Sequence, residues 1–171
     1  MTLPQGMDSQ FFRCANLSLD PIPHPDSSFD SISAFDFLEH VPRVLSTADG
    51  RSTRFPFLEL MGEIHRVLKP GGRLYAVTPA YPNAEAFQDP THVNIITDQT
   101  WLYFCGVTPL AKPYGFTGSF EMRRNERALH PDFFEPMIPL DWRRRYKRMR
   151  LLRKGRLPHL MWEFVCLKSD N

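Results

Sequence analysis

Six apolar residues, Phe57, Leu60, Met61, Ile64, Val67 and Leu68, recur at three- and four-residue spacing, and Lys69-Pro70-Gly71-Gly72 follows directly. That spacing predicts a helix over residues 54–68 with one apolar face, capped by Ser52 or Thr53. Lys69 suits the negative carboxyl end of the helix dipole, and the Pro-Gly-Gly run stops the helix. Mostly apolar runs lie on both sides, at 31–38 and 73–78, and both read as buried strands. Strand, helix and strand in this order make a crossover unit, which joins parallel neighbours of one sheet. An all-helical bundle and an all-antiparallel sandwich are thereby excluded.

The rest of the chain is consistent with one domain over 1–171, of a length that buries a sizeable core. A short apolar run at 11–15 reads as a further strand and 41–53 as a long loop. Another long loop spans 81–97, and 98–104 reads as a short helix capped by Thr97. Residues 115–129 and 159–168 read as an antiparallel pair of strands. Proline is abundant, 16 residues, against an average near 5%, and much of it falls in the connections. Three cysteines, Cys14, Cys105 and Cys166, show no metal-binding spacing and imply reduced thiols. The start has no basic-then-apolar leader, and no run is long enough to span a bilayer. We therefore expect a cytoplasmic protein.

Charge is unevenly distributed. Residues 1–120 carry 8 basic and 12 acidic side chains, whereas residues 121–171 carry 13 and 7. The excess is concentrated in the segment 141–156, set before the last strand. Trp142, Tyr146 and Met149, followed by Leu152 or Arg153, share one face of a helix there. Such a helix can dock its stripe on the sheet. Alternatively, it can lie on an anionic membrane through Arg143, Arg144, Arg145, Lys147 and Arg148, leaving the protein peripheral to the membrane. Nucleic acid is the lesser alternative, bound through its backbone only.

Three segments in fixed order narrow the reading: Pro25-Asp26-Ser27-Ser28-Phe29-Asp30, Leu38-Glu39-His40-Val41, and Arg66-Val67-Leu68-Lys69-Pro70-Gly71-Gly72. In order and spacing they resemble the second half of the core of class I S-adenosylmethionine-dependent methyltransferases, of the type 11-like family. The resemblance implies an α/β fold: a partial, Rossmann-like, mixed sheet of four or five strands with an antiparallel C-terminal pair. It also implies S-adenosylmethionine as cofactor and methyl transfer to a small-molecule or lipid-linked acceptor. By the same resemblance, Asn16 stands where an aspartate often binds the adenine amino group. Leu17 would meet the adenine edge, and the backbone of Phe35 and Asp36 would lie beside the methionine part. The segment Asp89-Pro90-Thr91-His92-Val93 resembles a loop that covers the active site.

The chemistry of the residues adds candidates. Glu39 and His40 follow a buried strand at the edge where open α/β sheets bind ligands. A neutral imidazole there can take a proton from an acceptor hydroxyl or amine; the plainer alternative is a His40 that only ties down a loop. Tyr81, His92 and Trp101 are candidates for substrate contact, and no metal ligand set is apparent. Arg66, Lys69 and the two glycines are expected to shape a turn, Asp30 to pin a loop, and His65 to sit exposed on the helix.

The family's first strand with its glycine-rich loop, and the acidic residue ending its second, have no counterpart in the 10 residues before Phe11. The resemblance therefore implies an N-terminally incomplete domain with one side of a cofactor pocket. It also implies an open edge on the strand at 31–38, to be covered by residues 11–15, by a second copy or by a partner chain. The competing reading is a non-catalytic module that acts through its basic segment.

Overall fold

The apolar stripe does form a helix. In the computed structural model, which describes residues 12–129 and 141–168, Phe57, Leu60, Met61, Ile64 and Val67 are all buried on one face of it. Burial of each such side chain contributes about 1.5–3 kcal/mol. The elements in chain order are β1 (Phe29–Phe35), β2 (Leu45–Ser46), β3 (Thr53–Arg54), α1 (Pro56–Val67), β4 (Leu68–Pro79), α2 (Glu85–Gln88), β5 (Phe120–Ala128), α3 (Trp142–Arg153) and β6 (His159–Cys166). Short 3₁₀ turns stand at Leu38–His40, Thr100–Tyr103 and Lys112–Tyr114.

One four-stranded sheet has the order β1-β4-β6-β5. β1 and β4 are parallel, with Ala34 opposite Ala76 and Phe35 opposite Val77. β6 is antiparallel to both β4 and β5. The expected mixed α/β sheet of four strands with an antiparallel C-terminal pair is therefore present. Its core joins Met61 and Ile64 of α1 to Leu74, Trp162 and Phe164 of the central strands. Trp162 is fully buried, and its indole N–H donates to Asn125 Oδ1 at 3.0 Å.

Several boundaries differ from expectation. The helix begins at Pro56, without a side-chain cap from Ser52 or Thr53, because Thr53 pairs with Ser46 in a two-stranded ribbon. It ends at Val67, since Leu68 is already extended. Pro70-Gly71-Gly72 therefore does not stop the helix. It lies inside β4 at a register irregularity opposite β1, with Gly71 at φ 73. Residues 12–15 form no strand and do not cover β1, whose outer edge has no partner strand among the described residues; Phe11 lies outside them. Residues 98–104 hold a single 3₁₀ turn rather than an α-helix. No helix among the described residues is long and apolar enough to cross a membrane.

The charged motif residues are architectural. Arg66 pairs with Glu63 and Asp26, both at 2.7 Å, and also donates to the carbonyls of Ile22 and His24. Lys69 holds Asp30 at 2.9 Å. His65 is half-buried rather than exposed: its ring packs edge-on against Phe120 and its Nε2 lies 3.0 Å from the Leu167 carbonyl. Burial depresses its pKa.

Candidate functional site

At the carboxyl end of β1 the chain turns sharply. Asp36 adopts a left-handed conformation, φ 46, which aspartate tolerates better than most side chains. Its N–H still donates to Val77 O at 2.9 Å, so the turn stays fixed to β4. The 3₁₀ turn that follows buries Leu38 and Glu39. Glu39 is 1% exposed, and neither carboxylate oxygen has a hydrogen-bond partner. The neighbouring Thr78 hydroxyl donates to the Pro79 carbonyl instead, at 3.2 Å. Burial pushes the Glu39 carboxyl above the usual carboxylate range, against its own backbone N–H and the nearby Thr78 hydroxyl, which pull it down.

A loop lies across this turn. The N–H groups of Val93 and Asn94 both donate to Glu39 O at 2.9 Å. Asn94 Nδ2 donates to Leu38 O at 3.0 Å, and Asn94 Oδ1 accepts from Arg43 Nε at 2.6 Å. Asp89 Oδ1 accepts from both the N–H and the hydroxyl of Thr91, at 2.8 and 2.7 Å, and these bonds hold its carboxyl below the usual range.

The loop fixes the tautomer of His40. Thr91 Oγ1 lies 3.0 Å from His40 Nδ1, and Thr91 O lies 3.3 Å from it. The Thr91 hydroxyl proton is committed to Asp89, so both oxygens accept from His40, and Nδ1 carries the proton. In the neutral ring Nε2 then keeps its lone pair. The His92 ring stands edge-on to His40, centroids 4.9 Å apart. Its Nε2 is 3.9 Å from Asp89 Oδ2, and its Nδ1 is buried without a partner. One ligand atom each from Glu39, His40 and His92 lie within 4.8 Å of one another.

Of the residues singled out from the sequence, His40, Glu39 and His92 come together here. Phe35 and Asp36 lead into the turn, and an Asp36 oxygen is 3.8 Å from His159 Nε2. Asn16 is exposed and caps its own turn, its Oδ1 accepting from Ser18 N at 3.2 Å. Leu17 lines a different cleft, of about 1060 Å³, together with Phe55, Arg66 and Tyr114. Tyr81 lines a cleft of about 820 Å³ with Phe57, Leu102 and Tyr103, whereas Trp101 packs against the core. Asp89 and Thr91 belong to the segment that resembles an active-site loop, where neither has a role of its own, and Asn94 lies outside it. The Asp-x-Thr spacing at Asp89 and Thr91 is the local signal of a side-chain-bonded turn.

The basic segment forms α3, capped by Asp141, whose side chain accepts from Arg144 N at 2.8 Å. Its apolar stripe is not docked on the sheet. Trp142 is 72% exposed, and Tyr146, Met149 and Leu152 are exposed too. Arg148 ties the helix to β5 through Glu126 and the Arg127 carbonyl, both at 2.7 Å.

An open sheet with a polar cluster beyond the carboxyl end of a parallel strand is the arrangement of α/β proteins that bind ligands at that edge. Residues 4–76 match the family model described as "methyltransferase domain". Among solved structures the chain is similar to the complex between the Haloferax volcanii Trm112 methyltransferase activator and its methyltransferase (14% identity, 87% of this chain and 59% of that chain, TM-score 0.49). It is also similar to the [4+2]-cyclase SpnF (19%, 92% and 56%, 0.48). A third match is a SAM-dependent methyltransferase from Archaeoglobus fulgidus (12%, 82% and 61%, 0.45). The chain thus spans little more than half the length of these structures. No curated protein matches it significantly.

Proposed function

We propose that this chain takes part in S-adenosylmethionine-dependent methyl transfer to a small-molecule or lipid-linked acceptor, with His40 as the proton acceptor. The observation that carries this reading is the methyltransferase-domain match over residues 4–76, which includes the turn bearing Glu39 and His40. The backbone of Phe35 and Asp36 would form one wall of the cofactor site.

When bound, the cofactor supplies a methyl group already activated as a sulfonium. The chain's own work is to hold the acceptor in line with that group and to remove a proton. His40 Nε2 would accept the proton of the acceptor hydroxyl or amine, while the cofactor would supply the methyl group, its sulfur keeping the electron pair of the broken S–C bond. The Nδ1–H bonds to Thr91 keep the ring oriented for that transfer. The apolar cleft beside Tyr81 and Tyr103 is the proposed path of the acceptor.

Titration calorimetry of the whole chain with S-adenosylhomocysteine tests the reading. Saturable one-to-one binding, lost on replacing Asp36 by Pro, supports it. No binding by a folded chain overturns catalysis by this polypeptide. It would favour the second reading, a non-catalytic module that acts through the exposed basic face of α3.

A further inference from the structure

We propose that Glu39, His40 and His92 bind a divalent transition-metal ion of the zinc type, through a Glu39 carboxylate oxygen, His40 Nε2 and His92 Nδ1. The proposal does not rest on the methyl-transfer reading, because its tests need no cofactor. A metal-bound His40 Nε2 has no lone pair left for a proton, so the metal-bound state excludes the proton-acceptor role proposed above, and the zinc titration decides between them.

Three independent observations converge on these residues. The first is proximity: the three residues offer ligand atoms within 4.8 Å of one another. Donors in a tetrahedral zinc site stand about 3.4 Å apart, given bonds of roughly 2.1 Å. The group therefore has to draw in by up to about 1.4 Å, within reach of side-chain rotation.

The second is unmet demand. Glu39 is 1% exposed, and both its oxygens lack a hydrogen bond. His92 Nδ1 is buried and equally without a partner. Buried polar atoms are almost always satisfied, and a carboxylate and an imidazole left open toward each other are satisfied together by a cation.

The third is the outer shell. A metal-bound histidine almost always gives its other ring N–H to a carbonyl or a carboxylate. His40 does so through Nδ1 to the Thr91 carbonyl and hydroxyl. His92 Nε2 lies 3.9 Å from Asp89 Oδ2, too far for a direct hydrogen bond. Asp89 stands behind His40 through Thr91 and near the His92 ring. This arrangement leaves the proposed ligand nitrogens facing inward.

The donor set selects the metal. Two imidazoles and one carboxylate suit zinc, iron or cobalt, whereas magnesium and calcium favour all-oxygen shells. Three protein ligands leave at least one coordination position open, as in a catalytic rather than a structural zinc site.

The test uses the whole chain with Cys14→Ser, which removes an exposed thiol as a competing ligand. Zinc titration at neutral pH should show one saturable equivalent. Magnesium at the same concentration should not compete. His40→Ala and His92→Ala should each weaken zinc binding more than tenfold, and Glu39→Gln similarly. Asp89→Ala should cost about tenfold through the outer shell, while His24→Ala should change nothing. Should the histidine variants fail to fold, cobalt substitution of the parent chain decides. A visible spectrum of nitrogen and oxygen ligation, without thiolate charge transfer and altered in Glu39→Gln, supports the site. Absence of saturable binding, or binding that survives His40→Ala with His92→Ala, overturns it.

Discussion

Asn94, 1% exposed, joins two parts of the site through one side chain: its Nδ2 donates to Leu38 O at 3.0 Å, and its Oδ1 accepts from Arg43 Nε at 2.6 Å. The amide thereby locks the covering loop to the turn that carries Glu39 and His40. Asn94→Ala removes one hydrogen bond from the Leu38 carbonyl, which keeps Val41 N, and one from the Arg43 guanidinium, which keeps the Ile95 carbonyl. We expect a loss of about 1–3 kcal/mol in urea unfolding. Faster amide exchange of Val93, whose N–H bonds to Glu39 O, should accompany it. A uniform slowing or no change at Val93 would show that the loop is held by other contacts.

Glu39 gives a pH signature. Burial raises its folded-state pKa above the unfolded value, so its protonated form is favoured by folding. That contribution is fully present below the unfolded carboxylate pKa and is lost as pH rises through the raised folded value. In the presence of a chelator the protein should lose stability with rising pH across this interval. Glu39→Gln, which keeps the shape and cannot ionise, should flatten that limb and exceed the parent at its upper end. Parallel thermal-melting profiles for the two proteins would contradict the assignment.

The residues explain which parts of this architecture were legible in the sequence. The stripe from Phe57 to Val67 and the alternation around β4 report burial, which depends on local spacing, so the crossover and the antiparallel pair could be read directly. The run Phe12 to Ala15 has the same local character and is not a strand, because a strand also needs a neighbour, and pairing is not a local property. The Pro-Gly-Gly run was a poor guide for a similar reason. It marks an irregular backbone, and here the irregularity is a bulge in β4 rather than a helix end. The site was half visible. Glu39 and His40 stand on a motif, but the closeness of His92 depends on how a loop some fifty residues later folds back. The role of Asp89 appears only once Thr91 is seen between it and His40.

The two glycines of that run should respond differently to substitution. A Cβ on Gly72 would lie 2.9 Å from Lys69 O and 3.2 Å from Asp30 O, both backbone atoms. Gly72→Ala should therefore cost about 1–3 kcal/mol through overpacking. Gly71 faces open space but holds φ 73, so Gly71→Ala costs about 1 kcal/mol through backbone strain alone. Chemical denaturation of both variants ranks the two effects. A smaller loss for Gly72→Ala than for Gly71→Ala would contradict the packing of β4 against β1.

The cysteines report the core without any substitution. Burial pushes the Cys105 thiol up to about 12 and raises that of Cys166, while Cys14 is exposed. The thiolate is the reactive form, so a thiol reagent at neutral pH should modify Cys14 alone in the native protein. All three should react in denaturant. Mass spectrometry of the labelled peptides decides, and rapid native labelling of Cys105 would mean that the packing around Phe104 and Phe120 is wrong.

α3 presents Trp142, Tyr146, Met149 and Leu152 to solvent on a helix otherwise made almost wholly of arginine and lysine. An undocked apolar stripe flanked by cations is the pattern of a helix that lies in a membrane interface. We therefore expect co-sedimentation with vesicles containing anionic lipid and none with zwitterionic vesicles. Each basic side chain near such a surface strengthens binding roughly fivefold, so replacing Arg143, Arg144 and Arg145 together by Ala should weaken it about a hundredfold. High salt should act in the same direction, since the attraction is screened within about 10 Å at 0.1 M. Trp142→Phe should remove any blue shift in fluorescence on binding, because Trp162 is fully buried and Trp101 packs against the core. Vesicle binding that is unchanged in the triple variant would assign the helix to another partner, and the lipid-linked acceptor would lose its support with it.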